Sequence, residues 1–217
     1  MKKIAVILAG CGRHDGSEIH ESVLTLLSIR QFGANYQCFS LNENQDHVSN
    51  HLTNELSIGE SRNMLIESAR IARGNIKNLS ELTINEYDAL IIPGGNGIAY
   101  NLFTLANDGA NFMIKSLVKD FCNQFTDAKK PVGFICIAPV MIPKIYTDKI
   151  NMTIGSDPDT TQLVESLGAI HHNCTVDEIC VDEAHKIVTT PAYMLADNIL
   201  AAYTGINKLV KKVIDYI

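Results

Sequence analysis

The sequence predicts one α/β sandwich domain, a mostly parallel sheet with helices on both faces. Three observations predict it. Short, continuous apolar runs bounded by glycine or proline recur at the N-terminus, near residue 90 and near residue 133, the pattern of strands buried on both sides. Stretches with helical apolar spacing separate these runs, and that alternation favours parallel pairing through crossover connections. No linker, internal repeat or low-complexity tract interrupts the 217 residues, so 1–217 reads as a single domain.

Taken in order, 3–9 is the first buried strand, closed by Gly10 and Gly12. Asp15 followed by Glu18 resembles a capping box, and Ile19, Val23, Leu26, Leu27 and Ile29 form a helical stripe that ends at Gly33. A second strand spans 35–41. Residues 42–60 are polar and carry no clear period, and 61–73 reads as a helix with Met64, Leu65, Ala69 and Ala72 on its apolar side. Residues 88–92 form a third strand, ended by the turn cluster Pro93-Gly-Gly-Asn-Gly97. Helices are expected at 98–107 and 111–126, a strand at 131–136, and a short helix at 138–146. A strand at 151–154, a helix at 159–167 and a pair of late strands at 179–181 and 186–190 follow. The final helix is expected over 194–217, with Ile199, Leu200, Tyr203, Ile206, Leu209, Val210 and Val213 on its apolar side.

Composition narrows the function. A chain this long buries about 70% of its extended surface and needs no disulfide or metal to fold. Lys and Arg number 18 against 24 Asp and Glu, a net charge of −6 with both signs scattered. With no basic stripe to neutralise phosphates, nucleic acid is not expected as a partner. The longest nearly apolar run, 132–143, is far short of the roughly 20 residues that cross a bilayer, so no membrane partner is expected. The N-terminal apolar stretch is too brief for a secretory leader, and a cytoplasmic protein is the expectation.

In open α/β sheets, ligands bind beyond the carboxyl ends of the strands. Three segments with small residues lie there: 10–12, Gly94-Gly95-Asn96, and Cys136-Ile-Ala138. In Gly133-Phe-Ile-Cys136-Ile-Ala-Pro139, a buried strand turns abruptly toward a helix with a nucleophile-type residue at the corner. Such an elbow exposes the side chain, and the amide of the next residue, Ile137, serves as an oxyanion donor. The helix start beyond it would favour an ionised thiol. The plainer alternative is a core cysteine at a strand end. Glu18 and Glu21 stand at the start of the first helix. Both suit a solvated helix N-terminus, but Glu21 lies beside the apolar stripe and could point inward, where a dry site would raise its pKa and let it shuttle a proton.

The six cysteines form no CxxC pair, and neither they nor the seven histidines have metal-ligand spacing, so no metal is expected. His171 and His172 could reach Cys136 from a loop, although surface positions are the ordinary reading. There is no GxGxxG fingerprint after the first strand and no Walker lysine, so no nucleotide cofactor is expected.

Tyr87-Asp-Ala-Leu-Ile-Ile-Pro-Gly-Gly-Asn96 followed by the Cys136 elbow resembles the DJ-1/PfpI superfamily of class I glutamine amidotransferase-like folds. The chain is more closely similar to its ElbB (enhancing lycopene biosynthesis, or sigma cross-reacting) family. That likeness rests on Gly10-Cys-Gly12, Asp15-Gly-Ser-Glu-Ile-His-Glu21, His51-Leu-Thr53, Arg62-Asn63, 133–139, Thr153-Ile-Gly-Ser-Asp157 and Lys186-Ile-Val-Thr-Thr-Pro-Ala-Tyr193, spread over nearly the whole chain. The resemblance implies a flavodoxin-like three-layer sandwich, a homodimer, Cys136 as nucleophile with Glu21 against its thiol, and an oxyanion hole from the amides of Gly95 and Ile137. The activity it implies is a glutathione-independent glyoxalase turning glyoxal, a small dicarbonyl, into glycolate, with a loose association with isoprenoid synthesis and no cofactor. Two departures bear on chemistry. The late His-x-Glu pair of amidotransferases is replaced by Thr189-Thr-Pro-Ala-Tyr-Met194, so glutamine hydrolysis is not expected. The histidine that follows the cysteine in PfpI-type peptidases is replaced by Ile137, so proteolysis is not expected either. The alternative to catalysis is a redox sensor or regulatory protein in which the same thiol is oxidised.

Overall fold

The computed structural model describes residues 1–217. In chain order the elements are β1 (Lys3–Ile7), α1 (Ile19–Gln31), β2 (Asn35–Ser40), β3 (Ser49–Asn50), β4 (Glu55–Leu56), α2 (Met64–Ile71), β5 (Ile76–Asn78), β6 (Ala89–Ile92), α3 (Ile98–Asn101), α4 (Leu105–Asp108), α5 (Ser116–Asp127), β7 (Val132–Ile135), α6 (Ile142–Ile145), β8 (Asn151–Met152), α7 (Pro158–Ser166), β9 (Ile170–His171), β10 (Cys180–Asp182), β11 (Ile187–Thr190) and α8 (Ile199–Asp215).

Seven strands form one sheet in the order β10-β11-β7-β6-β1-β2-β5. All neighbours are parallel except the edge pair β10–β11, whose short connection allows an antiparallel turn. Side-chain alternation sends the strands' apolar residues to two separate cores. From β1 and its extension, Ala5, Ile7 and Ala9 join Phe121, Cys122 and Phe125 of α5. Ile4, Val6 and Leu8 join Leu24 and Ile29 of α1 and Ile206, Leu209 and Val213 of α8. The result is the expected three-layer sandwich.

From β1 the chain proceeds outward through β2 and β5 on one side. On the other side the sheet continues through β6, β7 and β11. The β1/β6 boundary is therefore the topological switch point, where the loops leaving adjacent strands diverge and open a crevice.

Some local expectations are corrected. Glu18, not Asp15, caps α1, its carboxylate accepting the Glu21 N–H at 2.7 Å. Asp15 is buried instead and accepts the Ser49 N–H at 2.9 Å. The stripe expected inside α1 is divided: Leu26 and Ile29 are buried, whereas Ile19, Val23 and Leu27 are exposed, because the inward face also uses Glu21, Ser22, Thr25 and Ser28. The unassigned segment 42–60 contains the β3–β4 hairpin. The final helix begins at Ile199 behind an Asn198 cap, later than expected, because Ala192–Met194 forms a 3-10 turn, and Ile199 and Leu200 in its first turn are exposed rather than on the packed side. No helix is long and apolar enough to cross a membrane.

Candidate functional site

The crevice is built by stitching two loops together. Gly97 N–H donates to the Arg13 carbonyl at 3.2 Å, and Glu18 N–H donates to the Gly94 carbonyl at 2.8 Å. Asn101 Nδ2 reinforces the first loop by donating to the carbonyls of Ala9 and Asp15. Contact between the backbones is so close that a Cβ on Gly97 would overlap the Gly16 amide nitrogen. Gly95 has φ +116, and a Cβ there would lie 2.5 Å from the Glu18 nitrogen. Both positions require glycine for the close approach, and Gly95 requires it for its backbone conformation as well.

This stitching fixes the start of α1 over the end of β7, where Cys136 sits at φ +63. A left-handed conformation in a non-glycine residue is the strained corner of a nucleophile elbow. Its N–H is held by the Thr190 carbonyl at 2.9 Å, so the corner is tied to β11. The segment beyond it differs from expectation. A 3-10 turn over Ala138–Met141 precedes the single turn of α6, so no long helix dipole points at the sulfur.

Glu21 is fully buried, and its carboxyl is hydrogen-bonded to the Cys136 thiol. Oε2 also accepts the Gly94 N–H at 2.9 Å, and Oε1 accepts the Tyr193 N–H at 3.2 Å. Burial pushes the carboxyl up to about 7, overcoming the opposing pull of the thiol and the two amides. The thiol itself is raised well above its ordinary value, first by burial and then by the charge of Glu21. The amides of Gly95 and Ile137 oppose that rise. The expectation of a thiol ionised by a helix start is therefore corrected. The two acids share one site that accepts a single negative charge. When Glu21 holds the proton, its repulsion of the sulfur disappears and the two amides remain to stabilise a thiolate.

Cys136 is 7% exposed and opens into a cavity of about 360 Å³. Gly95 and the exposed Asn96 line it, with Arg13, Glu18, His20, Tyr193, Met194 and Ala196. Gly94 lies beneath, where a Cβ would meet the Cys136 Cβ at 2.5 Å and Glu21 Oε2 at 2.7 Å. Ile137 is half-buried beside the sulfur and packs against both cores. All six residues singled out from the sequence, Glu21, Gly94, Gly95, Asn96, Cys136 and Ile137, thus come together. A larger, more open concavity of about 560 Å³ surrounds Cys174 and Cys180 at the β10 edge, but the buried acid there, Asp182, is engaged by Asn151 and His185.

His171 and His172 do not reach Cys136: His171 Nε2 accepts the Ile154 N–H at 3.2 Å, and His172 Nε2 bonds Asn151 at 2.8 Å. The histidine that does line the cavity is His20, whose Nδ1 lies 2.8 Å from the Tyr193 hydroxyl. Sequence reasoning missed Arg13, His20 and Tyr193 as pocket residues. The only signal was their place in the motif segments 15–21 and 186–193, or beside them. No group of three or more His, Cys, Asp or Glu side chains converges as a metal site.

No family model matches the chain. The ES1 protein homolog, mitochondrial, of Rattus norvegicus is 40% identical to it over 222 residues, covering 98% of this chain and 83% of the relative. The glutamine amidotransferase-like class 1 domain-containing protein 3, mitochondrial, of Homo sapiens is 39% identical, covering 98% and 82%. Among solved structures, an isoprenoid biosynthesis protein with amidotransferase-like domain from Ehrlichia chaffeensis superposes with a TM-score of 0.93 at 37% identity, over 100% of this chain and 99% of that one. Glyoxalase III of Candida albicans superposes with a TM-score of 0.64, over 100% and 97%; at 14% identity that likeness concerns the fold alone.

Proposed function

The chain belongs to the family of ES1 and ElbB-like proteins within the DJ-1/PfpI, glutamine amidotransferase-like superfamily, and from that premise we propose that it is a cysteine-dependent, glutathione-independent glyoxalase. The observation that carries the reading is the Glu21 carboxyl bonded to the Cys136 thiol at the floor of a cavity, with the amides of Gly95 and Ile137 on the same sulfur.

In the proposed reaction, the thiol proton passes to Glu21 and the sulfur adds to one aldehyde carbon of glyoxal. The alkoxide that forms in this step is met by the Gly95 and Ile137 amides, donors worth about 3–4 kcal/mol each in other enzymes, and takes the proton back from Glu21 to give a hemithioacetal and a free carboxylate. Glu21 then moves a proton from the first carbon to the second through an enediol, leaving a thioester of glycolate. Water cleaves the thioester and restores the thiol, so glyoxal plus water becomes glycolate with no external oxidant. A carboxyl poised near 7 suits both directions of transfer.

Redox sensing at the same sulfur is the weaker reading, because no second cysteine lines the cavity to trap an oxidised sulfur as a disulfide. A homodimer is part of the proposal, supported by the exposed Ile19, Val23 and Leu27 along α1, and the molecular mass in solution tests it. So is a cytoplasmic setting, which stands beside the word mitochondrial in the names of both relatives. The decisive assay is glycolate formation from glyoxal without glutathione: equal turnover by wild type and Cys136→Ser would refute the cysteine mechanism.

A further inference from the structure

The cavity over Cys136 is larger and more charged than a four-atom dialdehyde needs. At roughly 30 Å³ for each water-sized group in a liquid, glyoxal fills about a third of 360 Å³. The remaining wall contains one fixed positive charge, Arg13. Its backbone carbonyl is tied to the Gly97 N–H at 3.2 Å, so it rides on the loop that shapes the oxyanion side of the site.

Of the other arginines, Arg30 bonds the Ala34 carbonyl, Arg62 and Arg70 pair with Glu67, and the exposed Arg73 lies away from this cavity. The Arg13 guanidinium has no carboxylate within 4.0 Å. The nearby acid Glu18 is spent at the helix start, where Oε2 accepts the Glu21 N–H at 2.7 Å. The other polar lining groups, the Tyr193 hydroxyl and His20 Nδ1, are paired with each other at 2.8 Å. An unpartnered planar fork of donors at the edge of a cavity is suited to bidentate capture of a carboxylate.

We propose that the physiological substrate is a vicinal ketoaldehyde whose tail ends in a carboxylate, held at that end by Arg13 while the aldehyde faces Cys136. This rests on the dicarbonyl reading above and extends it to a substrate class. The chemistry is unchanged. Sulfur adds to the aldehyde carbon, hydrogen passes from that carbon to the ketone carbon, and water releases a 2-hydroxy acid that carries a second carboxylate. Neutral glyoxal reacts as a truncated member of the class, without the binding energy of the tail.

The test compares 4,5-dioxopentanoate with methylglyoxal, which has the same reacting group and no charged tail, on wild type, Arg13→Ala and Arg13→Lys. Wild type is expected to prefer the charged probe by about tenfold or more in kcat/KM. Arg13→Ala should reduce that preference about tenfold, mainly through KM of the charged probe, with partial recovery in Arg13→Lys. A preference that is absent in wild type, or identical in wild type and Arg13→Ala, overturns the inference. Binding of the corresponding products, 2-hydroxyglutarate and lactate, to wild type and Arg13→Ala gives a readout independent of turnover. If no dicarbonyl reacts, the glyoxalase reading fails. Selective, Arg13-dependent binding of 2-hydroxyglutarate would then still support an anionic ligand, and equal binding of the two acids would overturn it.

Discussion

The carboxyl of Glu21 and the thiol of Cys136 are hydrogen-bonded to one another in a site where Glu21 has no exposure to water and its remaining hydrogen bonds come from backbone amides. The charge that either group acquires raises the other, so the pair takes up one negative charge well before a second. The reactive form is the singly charged pair, with the proton on the carboxyl and the charge on sulfur.

That form is reached by losing one proton from the neutral pair. Turnover of glyoxal, as kcat/KM, is therefore expected to rise with pH through about 7, the region to which burial has lifted Glu21. Glu21→Gln removes the proton carrier, and a loss of about 10²–10⁴-fold is expected, together with loss of the step near 7. A pH–rate profile of both proteins checks this. An unchanged step in the glutamine variant would show that another group governs it.

The same shift has a consequence for stability. A carboxyl at about 7 in the folded protein and about 4.5 in the unfolded chain binds its proton more tightly when folded. Its contribution is fully present below 4.5 and is lost as pH rises through 7, a fall of order 3 kcal/mol across that window. Other groups titrate too, so the measurement is the difference between wild-type and Glu21→Gln denaturation curves from pH 4 to 8. The amide introduced by Glu21→Gln has only one accepting oxygen and cannot serve the Gly94 and Tyr193 N–H groups as the two carboxyl oxygens do. The variant is therefore less stable by about 1–3 kcal/mol at pH 4, and because it lacks the loss that wild type suffers on rising through pH 7, the gap is expected to close or reverse by pH 8; that change in the difference is the readout.

Gly94 separates the two acids from the oxyanion loop. A Cβ at that position meets the Cys136 Cβ at 2.5 Å, Glu21 Oε2 at 2.7 Å and the Ile135 carbonyl at 2.8 Å. None of these is the free end of a flexible chain, so backbone must move. Gly94→Ala is expected to lose about 1–3 kcal/mol of stability, and its turnover should fall at least tenfold even where it remains folded, since a small displacement breaks the pair's geometry. Thermal melting and the glyoxal assay, run on the same preparation, separate the two losses.

How much of this was legible depended on whether burial and apolarity coincided. The core strands could be read because both faces are buried, giving unbroken runs such as Ala89-Leu-Ile-Ile92. The elbow could be read because Cys136 closes such a run. The β3–β4 hairpin could not, since its strands are two residues each and largely exposed and polar. The inward face of α1 was half hidden because it buries Glu21, Ser22, Thr25 and Ser28, while Ile19, Val23 and Leu27 stay outside. Arg13, His20 and Tyr193 meet only after α1 is laid against the loop following β11. The His20–Tyr193 contact joins residues 173 positions apart, and no local pattern encodes such a meeting.

Strain at the nucleophile provides a last test. Cys136 holds φ +63, a conformation that costs an L-residue roughly 1–2 kcal/mol and glycine almost nothing. At an ordinary buried position, replacing the side chain by glycine is worse than replacing it by alanine, because glycine gains more freedom on unfolding. Here the order should reverse, with Cys136→Gly more stable than Cys136→Ala by about 1 kcal/mol and neither variant turning over dicarbonyl. Chemical denaturation of the two variants, read at constant slope, measures the difference. If alanine proves the more stable, residue 136 is not held in the left-handed region, and the elbow that presents its sulfur to the cavity is not formed.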